Sequence, residues 1–184
     1  MDYTSVQALR RFGNFTATKD DVTLVAVIAA ASRAIERYCG RKFGADTPAS
    51  HIFTARWLGT TWVTPFDGQI LYLDDDLAEA PSSITGSPTV TYLPPNEPPY
   101  YAIILDTGAW DYPITVTGYW AYSKVPPPDI ELACLRLSKW MYELRETTRG
   151  DAAIVTDVGA VLIPAGLPVD VITLIAPYRK VRMA

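Results

Sequence analysis

The sequence predicts an α+β fold: a helical frame of two long helices plus short terminal helices, carrying an inserted antiparallel β-sandwich or barrel-like module. Three observations predict it. Apolar residues recur at helical spacing towards both ends of the chain, they alternate with period two through one contiguous block, and glycines and prolines bound that block on both sides. Helices at the ends with strands gathered in the middle make the pattern of α+β rather than of alternating strand–helix units. The expected domains are residues 1–50 together with 124–184 as a helical core, and residues 51–123 as a β-rich insertion.

The first helix is expected over Val6–Phe12, with Ser5 as N-cap and Gly13 as the residue that ends it. Residues 19–39 form the first long helix, about 31 Å at 1.5 Å per residue, opened by Thr18 and Asp21 in a capping-box-like spacing and stopped by Gly40. Val22, Val25, Ile28, Ala29, Ser32, Ile35 and Cys39 fall on one face, and Ala26, Ala30, Ala31 and Ala34 keep the flanks slim, so neighbours can approach closely.

From His51 the period changes to two. Strands are expected over 51–57, 61–64, 69–73, 88–93, 100–105 and 113–122, and the last is the clearest, with Ile114, Val116, Gly118, Trp120 and Tyr122 on one side. Pro94-Pro95-Asn96-Glu97-Pro98-Pro99 cannot join a ladder, because proline lacks the amide donor, and is an exposed loop. Pro126-Pro127-Pro128 then opens the second long helix, 128–149, whose Ile130, Ala133, Cys134, Leu137, Trp140, Met141 and Leu144 share a face and which Gly150 terminates. The apolar faces of the two long helices should pack on each other. Ala153–Thr156 and Ala160–Ile163 suggest a hairpin or extended arm, and Pro168 starts a last helix, Val169–Ala176, that Pro177 ends.

Hydrophobic residues make up 49% of the chain, enough to bury a sizeable core, and no run of apolar residues reaches the ~18 to 20 that a membrane span needs. The N-terminus lacks the pattern of a signal peptide, and the protein is expected to be made and kept in the cytosol. Cys39 and Cys134 each sit in an apolar helical pattern, outside any C-x-x-C pair, and are expected as reduced core residues. Residues 51–125 carry two basic and eight acidic side chains, a balance that repels phosphate backbones and excludes tight DNA binding.

Few residues suggest chemistry. His51, the single histidine, has no second histidine for a metal pair and reads as a strand-edge side chain. Asp74-Asp75-Asp76 lacks the alternate ligands, mid-loop glycine and terminal glutamate of an EF-hand and reads as a solvated turn at a strand end. The scattered glycines form no phosphate-cradling motif, the serines lie in no G-x-S-x-G elbow, and no enzymatic activity, metal or cofactor is expected. Trp57, Trp62, Trp110 and Trp120 allow a rival reading, a stacking platform for sugars on a carbohydrate- or host-surface-binding β-module borne by a helical stem. The alternative is that these rings fill the core of a small sheet domain.

Four blocks, in order, resemble the head-to-tail connector proteins of tailed double-stranded DNA bacteriophages, also called head completion or adaptor proteins. They are Asp20-Asp21 opening a helix that ends in Ile35-Glu36-Arg37-Tyr38-Cys39-Gly40-Arg41-Lys42-Phe43; Ile114-Thr115-Val116-Thr117-Gly118-Tyr119-Trp120-Ala121-Tyr122, where the family often has glycine in place of Ala121; Pro127-Pro128-Asp129-Ile130-Glu131-Leu132-Ala133-Cys134, leading to Trp140; and Leu167-Pro168-Val169-Asp170-Val171, continuing to Pro177-Tyr178-Arg179-Lys180-Val181-Arg182. The resemblance implies a virion protein without a cofactor, a dodecameric ring beneath the portal protein that docks the next neck or tail protein, through which DNA passes without specific binding. Tyr178, Arg179, Lys180, Val181 and Arg182 combine an aromatic, an aliphatic and three cations beyond the last helix, a mixture suited to a partner interface. With the resemblance, that partner is expected to be the portal.

Overall fold

Helix-forming spacing and capping residues place four helices among the described residues of this computed structural model. It describes residues 1–15, 21–54, 56–58, 61–63, 66–67, 69–108, 110, 113–151 and 166–180, with side chains left out for 56–58, 61–63, 66–67 and 145–151. The chain divides into two compact units, Met1–Gly40 with Pro126–Ala184, and Arg41–Val125. The stretch 41–50 thus belongs with the strands.

In the first unit α1 spans Val6–Gly13, and the Ser5 hydroxyl accepts from the Ala8 amide at 3.2 Å, as an N-cap does. The residue that ends α1 is not Gly13 but Asn14, held at φ 55° in the left-handed region that asparagine tolerates. Gly13 is needed for another reason: a Cβ there would overlap the Phe15 ring, which folds back over it and meets Tyr142 with centroids 4.7 Å apart.

Helix α2 spans Asp21–Cys39, and its Asp21 accepts from Arg10 Nε at 2.9 Å; Thr18 lies outside the described residues. Its buried face is Leu24, Val27, Ile28, Ala31, Ser32, Ala34, Ile35 and Cys39. The expected face was rotated: Ile28, Ser32, Ile35 and Cys39 are inside, whereas Val22 and Val25 are 84% and 51% exposed. A helix apolar nearly all round offers more than one candidate face, and periodicity cannot choose between them.

Helix α3 spans Pro128–Asp151 and packs on α2 through Ile130, Ala133, Cys134, Leu137 and Met141, all buried, while Trp140 and Leu144 are half-buried. Gly150 does not stop it. Glycine within a helix costs about 1 kcal/mol relative to alanine, a penalty that ends a helix only where the backbone also turns left-handed. Between α2 and α3 the buried Ser32 hydroxyl donates to the Ile28 carbonyl at 2.9 Å, accepts from the Tyr3 amide at 3.1 Å and lies 3.5 Å from Cys134 Sγ. That polar group is therefore satisfied. Helix α4, Val169–Ile175, buries Val171 and Ile175 and runs into a 3-10 turn, Ala176–Tyr178, that contains Pro177. The run suggested as a hairpin or arm, 153–163, lies outside the described residues.

The second unit contains nine strands among its described residues: β1 Ala49–Phe53, β2 Arg56–Leu58, β3 Thr61–Val63, β4 Phe66–Asp67, β5 Ile70–Leu77, β6 Ser83–Ile84, β7 Val90–Leu93, β8 Tyr100–Leu105 and β9 Ile114–Gly118. They form antiparallel sheets of order β1-β9-β6, β2-β3 and β4-β5-β8-β7. None of these sheets closes on itself, which corrects the barrel-like expectation. The period-two phase of β9 holds, with Ile114, Val116 and Gly118 buried, but the strand ends at Gly118 and Trp120 adds a single bridge to Leu77. A Cβ on Gly118 would lie 2.7 Å from Leu77 Cδ1 and 3.3 Å from Pro81 Cα, so glycine admits the crossing segment. Phe53, Leu71, Leu73, Leu77, Ile103, Ile114, Val116 and Trp120 form one buried cluster drawn from the two larger sheets. Residues 94–99 connect β7 to β8 and are largely exposed.

Candidate functional site

The aspartate run is not a solvated turn. Asp74, Asp75 and Asp76 lie within β5, and each meets a nitrogen-bearing side chain from β1 or the segment before it: Asp74 meets His51 Nδ1 of β1 at 2.9 Å, Asp75 meets Lys42 Nζ at 3.2 Å, and the buried Asp76 meets Arg41 Nε at 3.4 Å. His51 lies on the edge strand β1 and stacks on the Trp120 indole, with centroids 3.8 Å apart and planes 7° from parallel. These pairs clamp residues 41–51 onto β5. Arg41 and Lys42, which lie outside the 51–125 count, are paired with Asp76 and Asp75, so the acidic field of this unit is weaker than that count implies.

Among the described residues no group of three histidine, cysteine or acidic side chains is placed to hold a metal, and no helix is long and apolar enough to cross a membrane. Both cysteines are free thiols and buried. Burial pushes the Cys134 thiol up, opposed by hydrogen bonds from Ser32 and Ser138, so it stays protonated and unreactive near neutrality.

The tryptophans do not build a platform where they are described. Trp120 is buried and its Nε1 donates to the Ala49 carbonyl at 2.8 Å, and Trp110 packs against the sheet core and donates to the Gln69 carbonyl at 2.9 Å. Tyr92 and Tyr100 also pack on that core, with centroids 5.0 Å apart, and burial followed by repulsion from Tyr100 pushes the Tyr92 hydroxyl up. The side chains of Trp57 and Trp62, opposite each other in the β2–β3 register, are among those left out.

The C-terminal segment is held by its own unit further than its sequence indicates. The Tyr178 hydroxyl donates to Asp129 at 3.2 Å, the Arg179 guanidinium lies 5.7 Å from the centre of the Tyr38 ring, and the Lys180 amide donates to the Cys39 carbonyl at 2.7 Å. The last bond satisfies one of the carbonyls that every helix end leaves open. Val181 and Arg182 lie outside the described residues.

What the first unit leaves uncovered is the outer face of α2. Val22, Val25 and Ala26 are exposed, Ala29 and Ala30 are half-buried, and the face continues into a shallow groove lined by Arg33, Glu36 and Arg37. By 100° steps these residues fall on one side of the helix, opposite Leu24, Ala31 and Ile35. This face was missed in the sequence because Val22 and Val25 were assigned to the core, although the slimness of the helix was legible. Compared with known proteins, the chain matches no family model and no curated protein.

Proposed function

We propose that this protein is a structural virion component, a head-to-tail adaptor whose copies form a ring beneath the portal protein of a tailed double-stranded DNA bacteriophage and dock the next neck or tail protein. The observation that carries this reading is the outer face of α2, where Val22 and Val25 stand exposed on a helix that is apolar on both sides. A helix of that composition is normally covered all round, and this one packs on α3 and α1 but leaves Val22 and Val25 exposed. The four-block resemblance adds the ring, its dodecameric number in the virion and its place at the neck. In this reading α2 and α3 are the frame, the two larger sheets are a β-sandwich insertion, and DNA passes through the ring without specific binding. In this reading Arg179, Lys180, Val181 and Arg182 supply the portal contact together with Tyr178, whose hydroxyl bonds Asp129.

The test is attachment of the purified protein to portal-bearing, DNA-filled heads, read by electron microscopy of the portal vertex. A closed ring at the vertex is expected, and Val25→Asp should abolish it without changing the melting temperature. A protein that never localises to the portal vertex would sink the proposal. The carbohydrate-binding reading loses support from the commitment of Trp110 and Trp120 to internal hydrogen bonds.

A further inference from the structure

From the distribution of apolar and charged residues on the helical unit, we infer that the outer face of α2 binds a different surface of a second copy: the exposed side of α4 together with the first turn of α3. This deepens the ring proposal and rests on it. The α2 face is asymmetric along its length, with exposed Val22, Val25 and Ala26 at one end and Arg33, Glu36 and Arg37 at the other, where Arg33 pairs with Glu36 at 2.9 Å and Arg37 has no ion-pair partner among the described residues. Pairing the face with itself is therefore unfavourable either way round. A parallel pair sets Arg37 against Arg37, and an antiparallel pair sets Val22 and Val25 against guanidinium groups.

A complementary surface exists on the same unit. On α4, Val169 is 79% exposed, and Thr173, Ala176 and Pro177, which follow at helical spacing, are exposed as well. Beyond that end lies the first turn of α3, since the Tyr178 hydroxyl bonds Asp129, and Asp129 and Glu131 there are both exposed acids. The two surfaces match in length. Val22 to Arg33 spans about 16 Å along α2, and Val169 to Tyr178 spans about 14 Å. Laid parallel, Val169 meets Val22, Ala176 meets the alanines of α2, and the acids of α3 reach Arg37. Small side chains on both helices permit close approach, and a contact between two different surfaces of identical copies propagates from copy to copy until it closes as a ring.

The test uses paired cysteines in the full chain, whose own thiols are buried. Ala26→Cys with Thr173→Cys, treated with a mild thiol oxidant across a concentration series, should give a ladder of dimer, trimer and higher species that collapses on reduction, while neither single variant gives a product. A dimer from Ala26→Cys alone would show self-pairing and overturn the inference. Absence of a ladder would also overturn it. Wild-type native mass spectrometry separates the two failures: a defined ring without a ladder sinks only the surface assignment, whereas a monomer throughout sinks the ring as well. Charge reversal gives an independent check, because neither the Arg37 nor the Glu131 side chain has an ion-pair partner among the described residues. Arg37→Glu and Glu131→Lys should each weaken association at least about tenfold, and the double variant should recover it, provided circular dichroism confirms that all three are folded. If the double variant is weaker still, the pairing is wrong.

Discussion

Replacing Leu137 with alanine tests the packing of α3 on α2 directly. Leu137 is 0% exposed, within a buried set that includes Cys134 and Met141 on its own helix and faces Ile28, Ser32 and Ile35 of α2. The substitution removes about three methylene equivalents, roughly 2.4 kcal/mol at 0.8 kcal/mol each. Two long helices cannot collapse fully around the void, and the cavity term raises the expected loss to roughly 3–4 kcal/mol. Val25→Ala is the control. Val25 is 51% exposed, so it loses little burial, and alanine's higher helix propensity offsets that loss, leaving a change within about 0.5 kcal/mol. Denaturant titration followed by helical circular dichroism measures both, and comparable denaturant slopes show that the variants unfold to the same extent. A loss below about 0.5 kcal/mol for Leu137→Ala, or above about 1.5 kcal/mol for Val25→Ala, would refute the assignment of the two faces of α2.

Three further outcomes are expected. Gly118→Ala should cost roughly 1–3 kcal/mol by forcing Leu77 and the Pro81 backbone apart, whereas Gly86→Ala, at φ +79° with open space around it, should lose only about 1 kcal/mol through backbone strain; thermal melts that rank the two in reverse would contradict this crossing. Because burial raises the Cys134 pKa above the ordinary thiol value of 9.0, the unfolded chain loses that proton first as pH rises, so the contribution is complete below pH 9 and declines above it. Cys134→Ala should flatten this alkaline loss in denaturant titrations, and an unchanged slope would assign it elsewhere. Deleting residues 178–184 removes the Tyr178–Asp129 and Lys180–Cys39 hydrogen bonds and should cost about 1–2 kcal/mol, a fall of several degrees in melting temperature; an unchanged melt would show that the segment contributes nothing to its own unit.

Much of the local structure was legible because its causes are local. Ser5 caps α1 through a bond three residues ahead, the proline cluster at 94–99 excludes itself from a ladder, and the alternation of Ile114, Val116 and Gly118 chooses their side of β9. The asparagine that ends α1 was within reach, since asparagine is the residue other than glycine that takes the left-handed conformation most readily.

The candidate surface was not legible, and the reason lies in distance along the chain. Whether Leu24 or Val22 faces the core depends on where α3 sits, about a hundred residues later, and a helix apolar on both sides does not disclose it. The three aspartates of β5 look solvated until Arg41, Lys42 and His51 arrive from more than twenty residues upstream, and the tail looks unheld until Lys180 meets the open carbonyl of Cys39. The sequence by itself determined the mixed α+β class, the long helices, the strand-rich middle and the chemistry of each side chain, because capping, turn geometry and periodicity act over a few residues. Only the tertiary structure decided which face of α2 is spent on its own core and which is left for a partner, because that choice belongs to contacts between segments far apart in the chain.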